Sequence, residues 1–135
     1  SILRLSNLYG QNQQKGIVAY ILKSYFSDRK LHFNNDGSLV RHFLNISDCA
    51  EIIIKMISKS IEPNTYNIKG NETFTIKSLV ELFEQKFDVL FDKHFEKSEP
   101  WENIDILDNT RLNLLMNYNL KHNLFEYFEK ELYKN

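Results

Sequence analysis

The chain opens on an extended apolar segment. Residues 1–5, Ser1-Ile2-Leu3-Arg4-Leu5, read as a β-strand, and Ser6-Asn7-Leu8-Tyr9-Gly10 carry it into a polar, glycine-terminated exit. A strand carries rows of N–H and C=O groups that must be paired, so it cannot stand alone. No start methionine and no residue upstream supplies a neighbour here. The segment is therefore expected to belong to a sheet whose other members lie later in the chain or in a part of the protein preceding residue 1.

Helical and extended periodicities alternate after it. Residues 6–16 are a polar loop rich in Asn and Gln, and Ile17, Val18, Ile21, Leu22 and Tyr25 then recur at helical spacing, predicting a helix from Ile17 to Phe26. Lys30–Phe33 reads as a strand closed by Asn34-Asn35-Asp36-Gly37, residues that tolerate positive φ, and Val40–Leu44 reads as the returning strand of a hairpin. Asp48 with Glu51 predicts a capping box for a helix from Cys49 to Ser60, ended by Pro63. Thr65–Ile68 is a strand, and Thr75 caps a helix whose stripe is Ile76, Leu79, Val80, Phe83 and Phe87. Residues 88–107 are hardest to read, with Val89-Leu90-Phe91 as a strand candidate. Asp108 and Asn123 are expected to cap two final helices. The pattern is one mixed α/β unit over residues 1–135, with no internal repeat.

Bulk properties narrow the function classes. A net charge of −1 gives no electrostatic ground for a nucleic acid or anionic membrane partner. A single cysteine, Cys49, precludes an intrachain disulfide framework and suits a reducing, cytoplasmic setting. No apolar run approaches the ~18 residues that cross a bilayer, and no segment reads as a signal peptide. The four histidines (32, 42, 94 and 122) are scattered and no Cys pair exists, so no metal site is expected. With glycine only at 10, 16, 37 and 70, no glycine-rich dinucleotide turn can be written.

Several residues could bind a ligand. Asn7 lies at a strand exit, where open α/β sheets place ligands, although a loop asparagine commonly bonds its own backbone. Gly16-Ile17 open a helix whose first N–H groups favour anions, which is also an ordinary way to begin a helix. Phe33 could stack on a base or simply fill a core. Arg41 carries a planar, permanently charged fork suited to two phosphate oxygens, yet a strand arginine often only snorkels to solvent.

Arg4-x-x-Asn7-x-Tyr9-Gly10, Asp36-Gly37-x-x-Val40-Arg41-x-Phe43-x-x-x-x-Asp48 and Tyr66-Asn67-Ile68 together resemble the second half of an extended short-chain dehydrogenase/reductase. This group includes the NAD-dependent nucleotide-sugar epimerases and dehydratases. The resemblance implies the last strands of a Rossmann-type sheet plus a small α/β substrate-binding lobe, as a fragment lacking the N-terminal dinucleotide-binding half. It implies that Asn7 and Arg41 grip a sugar-linked diphosphate, and that Gly16 and Ile17 present backbone to the nucleotide. It places Leu31, His32 and Phe33 beside the nucleobase, and Leu5, Ser6 and Leu8 at the nicotinamide end of an NAD (or NADP) site. Asp48 and Asn67 would be structural.

The implied partners are a nucleotide-diphosphate sugar and the missing Rossmann domain, with a homodimer in the intact enzyme. The implied chemistry is hydride abstraction from the sugar, epimerisation or elimination, and hydride return, in surface polysaccharide or sugar biosynthesis. No Tyr-x-x-x-Lys pair exists, Tyr20 and Lys23 being one residue too close. The fragment alone is thus expected to hold no catalytic residue, to bind no cofactor and to be inactive. Three departures stand out: His42 where the family has Asp, no arginine between Lys97 and Leu107, and Leu115–Tyr118 without the family's glycine. In that window Trp101 is either a stacking residue or a loop anchor. A non-catalytic binding or assembly module of the same fold, or a reductase on a non-nucleotide substrate, remain the alternatives.

Overall fold

The computed structural model describes residues 1–97 and 107–134. In order these form β1 (Ile2–Leu5), β2 (Asn7–Tyr9), α1 (Ile17–Tyr25), β3 (Lys30–Phe33), β4 (Val40–Asn45), α2 (Ile46–Ser58), β5 (Thr65–Ile68), β6 (Glu72–Thr75), α3 (Ile76–Phe87), β7 (Asp92–Phe95), α4 (Thr110–Leu115) and α5 (Leu124–Leu132). The mixed α/β class agrees with the sequence pattern. Trp101 lies outside the described residues.

The opening segment changes partners midway. β1 pairs in parallel with β5, Leu3 opposite Tyr66 and Leu5 opposite Ile68. One residue later β2 pairs in parallel with β4, Asn7 opposite Phe43 and Tyr9 opposite Asn45. Ser6 stands at the switch: its N–H donates to the Ile68 carbonyl at 3.0 Å, and its Oγ accepts from Gly70 N–H at 3.0 Å. Gly70 must be glycine because a Cβ there would fall on the Phe43 carbonyl. So what reads in sequence as a strand plus a loop is one extended segment serving two sheets.

The expected 30–44 hairpin does not form. β3 pairs in parallel with β7, His32 opposite His94, while β4 pairs with β2 and, antiparallel, with β6. The Asn34–Gly37 cluster does turn the chain, with Gly37 at φ 81° and the buried Asn35 Oδ1 accepting its N–H at 2.8 Å, but the chain then leaves the first strand. The 89–91 strand candidate is also displaced. Val89 and Phe91 are buried loop residues, and the strand begins at Asp92, after a left-handed Asp88 that ends α3.

Helix starts are mostly local. Thr75 caps α3 by accepting Ser78 N–H, and Asn123 caps α5 through Phe125 and Glu126 N–H. α2 departs from expectation, because its cap is Asn45, accepting Ser47 N–H at 2.8 Å. Asp48 sits in the first turn instead, where its carboxylate receives Lys121 N–H, His122 N–H and His122 Nδ1. Asp108 accepts Thr110 N–H ahead of the short α4.

Two apolar clusters result. The first gathers α1, α3, α5 and β3 around Phe83, which makes ring contacts with Tyr25, Phe87, Phe91 and Phe128. The second gathers α2, β5 and α4 around Ile52, Tyr66, Ile68 and Leu112. No helix among the described residues is long and apolar enough to cross a membrane.

Candidate functional site

The partner switch at Ser6 opens a crevice between two diverging sheets, the kind of place where α/β sheets bind ligands. A hollow of about 270 Å³ lies there, lined by Leu5, Ser6, Asn7, Arg41 and His42 with Val40 and Leu107. Residues 34 positions apart in sequence thus share one concave surface. Arg41 is half-buried, and one of its N–H groups donates to the Val40 carbonyl at 3.1 Å. Among the described residues no carboxylate pairs with it. The rest of its fork is available to an anion. His42, which replaces an expected aspartate, hydrogen-bonds through Nδ1 to Thr73 Oγ1 at 2.8 Å and so braces β4 against β6.

The other expected residues are placed elsewhere. Leu8 packs against the second cluster and Leu31 is fully buried in the first, so neither side chain reaches this hollow. Phe33 is buried, stacked on Phe95 at 5.0 Å and edge-on to Tyr20. Strand alternation turns His32 to the opposite face from Leu31 and Phe33, where its Nε2 meets Glu96 at 3.0 Å. These three consecutive residues therefore cannot all turn a side chain to one ligand. Gly16 does stand at the start of α1, at φ 94°, with Ile17 packed against the first core. Tyr20 and Lys23 serve structure: the Tyr20 hydroxyl accepts His32 N–H at 2.9 Å, and Lys23 Nζ donates to the Gln14 carbonyl.

Beyond the crevice, a Tyr9–Glu72 pair that the sequence reading did not foresee ties β2 and β6 to the start of α5. Tyr9 OH donates to Glu72 Oε1 at 3.1 Å, and Glu72 also accepts Leu124 N–H at 2.9 Å. Burial pushes the Glu72 carboxyl above the ordinary range, against the lowering effect of those two donors. Burial and the neighbouring Glu72 charge push Tyr9 far up, so it stays a neutral donor. Asp48 behaves oppositely: burial works to raise it, but the His122 side chain and the His122 and Lys121 N–H groups outweigh this and hold it low. Asn67 Nδ2 donates to the Asp108 carbonyl at 2.7 Å, tying β5 to the approach of α4. A larger cavity of about 790 Å³, rich in asparagine amides, lies beside Gly70 and α4.

Known proteins resemble this chain in sequence and in fold. The chain is 30% identical over 84 residues to a GDP-6-deoxy-D-talose 4-dehydrogenase of Aggregatibacter actinomycetemcomitans, covering 61% of this chain and 28% of that protein. It is 29% identical over 111 residues to an uncharacterised UDP-glucose epimerase of Bacillus subtilis, covering 76% and 35%. A Bacillus cereus UDP-glucuronic acid 4-epimerase, solved with UDP-4-deoxy-4-fluoro-glucuronic acid and NAD, superposes with a TM-score of 0.82 at 26% identity, over 96% of this chain and 43% of that one. A Bacillus anthracis dTDP-glucose 4,6-dehydratase shares the fold, with a TM-score of 0.81 at 21% identity over 98% and 44%. The chain thus spans about a third of the length of these curated relatives and under half of the solved ones. The sequence pattern of one family runs through residues 1–68, half of the chain, from the switching strand through Arg41 to the end of β5. With the fold agreeing over nearly its whole length, this chain belongs to the NAD dependent epimerase/dehydratase family.

Proposed function

We propose that this chain is the substrate-binding portion of an NAD-dependent nucleotide-sugar epimerase or dehydratase, with Arg41 and Asn7 holding the sugar-linked diphosphate. The observation that carries this is the single crevice lined by both side chains at the Ser6 switch. A guanidinium can engage two phosphate oxygens in parallel, and an amide can donate to a third or to a sugar hydroxyl. The relatives named above act on or bind GDP-, UDP- and dTDP-linked sugars, so the diphosphate is the group common to their substrates.

The cofactor falls largely to residues outside this chain. The sequence has no glycine-rich turn to approach a pyrophosphate, and only Leu5 and Ser6 stand where a nicotinamide end could meet it. When bound, NAD supplies a hydride acceptor for the sugar. The residues here bind and orient: fixing the diphosphate sets the sugar's distance and angle to the reacting centre, which lowers the entropic part of the barrier. Gly16 and Ile17 can add backbone N–H groups at the start of α1.

The apolar surface supports a missing half. Parallel strands are normally covered on both faces, yet Ile2 of β1 is 63% exposed and Ile54 and Ile57 of α2 are 65% and 73% exposed. An apolar hollow of about 250 Å³ lies between β1 and α2, lined by Leu3, Ile53, Met56, Ile57 and Ile61. A dinucleotide-binding half docked here would bury these groups and extend the sheet from β1 or β5.

The test is calorimetry of UDP-, dTDP- and GDP-sugars against the full-length enzyme. Arg41→Ala is expected to weaken binding of the cognate sugar at least tenfold, about 1.4 kcal/mol. Unchanged affinity rejects the diphosphate role.

A further inference from the structure

The parallel ribbon β3–β7 carries a second cluster, of which the nucleotide-sugar resemblance gave a role to His32 alone. Its solvent face presents His32 directly opposite His94, with Glu96 two residues further along the same face. The two imidazoles stack at 4.9 Å with 19° between planes. Their ligand atoms and a Glu96 oxygen all lie within 4.8 Å of one another. We propose that His32, His94 and Glu96 form a surface binding site for a divalent transition metal, with zinc the best match.

The donor set fits that chemistry. Two neutral imidazoles and a carboxylate suit zinc in tetrahedral geometry, with water completing the fourth position. Tetrahedral bonds of about 2.0–2.1 Å place ligand atoms about 3.3 Å apart, so closing the present spread takes only side-chain rotation. His32 Nε2 and Glu96 Oε1 are already 3.0 Å apart, and the ion replaces that direct bond. Magnesium or calcium, which prefer cages of oxygen ligands, would find one carboxylate here.

The backbone beneath is held in place. The Tyr20 hydroxyl accepts His32 N–H at 2.9 Å and donates to the His32 carbonyl at 3.3 Å, fixing that strand from α1. On the partner strand, Lys93 pairs with Glu84 of α3 at 2.7 Å, anchoring the residue beside His94. The ion would cross-link strands 62 positions apart in sequence. That bond would stiffen the ribbon whose inner face packs Leu31 and Phe33.

The test is zinc titration of the 135-residue chain by calorimetry, with magnesium as the hard-cation control and cobalt(II) absorption reporting geometry. One zinc ion should bind per chain, magnesium should not, and bound cobalt should show the intense visible bands of a tetrahedral site. His94→Ala and His32→Ala should each weaken zinc binding at least tenfold, and Glu96→Gln less. Because all three side chains are exposed, the double variant His32→Ala/His94→Ala should unfold in urea at the same midpoint as the parent when zinc is absent. Zinc should raise the midpoint of the parent alone. Zinc affinity unchanged in the double variant overturns the site. These readouts do not involve nucleotide, so they stand or fall apart from the Arg41 experiment.

Discussion

The two apolar clusters differ in how they are closed. Around Phe83, helices α1, α3 and α5 enclose a core in which Ile21, Leu79, Val80, Phe83, Leu124 and Phe128 have no measurable exposure. Around Ile52 and Tyr66, α2 and α4 cover one side of β5, while Ile2, Ile54 and Ile57 face solvent. The aromatic lobe has a closed centre, with Phe26, Leu82, Leu90 and Tyr133 exposed at its rim. The other cluster leaves apolar side chains of β1 and α2 in solvent, where the docking surface is proposed, and the crevice with Asn7 and Arg41 lies at the end of β1.

That contrast can be broken at several points. The largest effect is expected for Gly70→Ala, which forces a Cβ onto the Phe43 carbonyl beside the partner switch. Urea unfolding should show a loss of at least about 4 kcal/mol. A parent-like midpoint would mean that the sheets can part there freely. Phe83→Ala should follow, at about 3–5 kcal/mol, because it empties the centre of the aromatic lobe.

Next come two carboxylates, buried Asp48 and half-buried Glu72, whose pH dependences should have opposite signs. Asp48 is held below the ordinary carboxylate range in the fold, so its stabilisation is present at neutral pH and fades as pH falls below about 4. The advantage of the parent over Asp48→Asn, about 1–3 kcal/mol at pH 7, should therefore shrink under acid. Glu72 is raised in the fold, so protonation favours the folded state, and the parent should gain on Glu72→Gln as pH falls from 7 toward 4. Denaturation midpoints check the signs, followed from pH 7 to about 4 for the Glu72 pair and from about 4 downward for the Asp48 pair. The smallest effect on stability is expected for Ile54→Lys, within about 0.5 kcal/mol in this chain. If the proposed dinucleotide-binding half docks there, the same change in the full-length enzyme should destabilise it measurably, by setting a charge against that half. A destabilised short chain with an unaffected long one would reverse the comparison between the clusters.

Much of this was legible from local pattern. The stripes Ile17–Tyr25 and Ile76–Phe87, the strand Thr65–Ile68, and the caps Thr75 and Asn123 each depend on neighbours within one turn. Strand pairing was not. A parallel partner lies a crossover away, so β3 with β7 and β2 with β4 leave no mark in adjacent residues, and the Asn–Gly turn invited a hairpin that does not form. The capping-box reading of Asp48 failed for a similar reason, the donors that clamp it being 73 and 74 positions away. At the candidate site, the motifs brought Asn7 and Arg41 forward together. The facing of Leu8, Leu31 and His32 depends on register, which local sequence does not record. The same blindness scattered His32 and His94 in the sequence although they are cross-strand neighbours.

The last helix is pinned to the first strands. Tyr127 OH donates to the Gly10 carbonyl at 2.7 Å, Leu124 N–H reaches Glu72, and Phe128 fills the space beside Phe83. A chain emerging stepwise from the ribosome would therefore synthesise the Asn7 segment more than a hundred residues before the helix that locks its far end. Until α5 arrives, the aromatic lobe lacks two of its fully buried side chains and Glu72 lacks a donor. The packing of the Asn7 segment is thus expected to mature as a late, post-synthetic event, and a nascent chain stalled before Leu124 should expose that lobe to aggregation or to a chaperone.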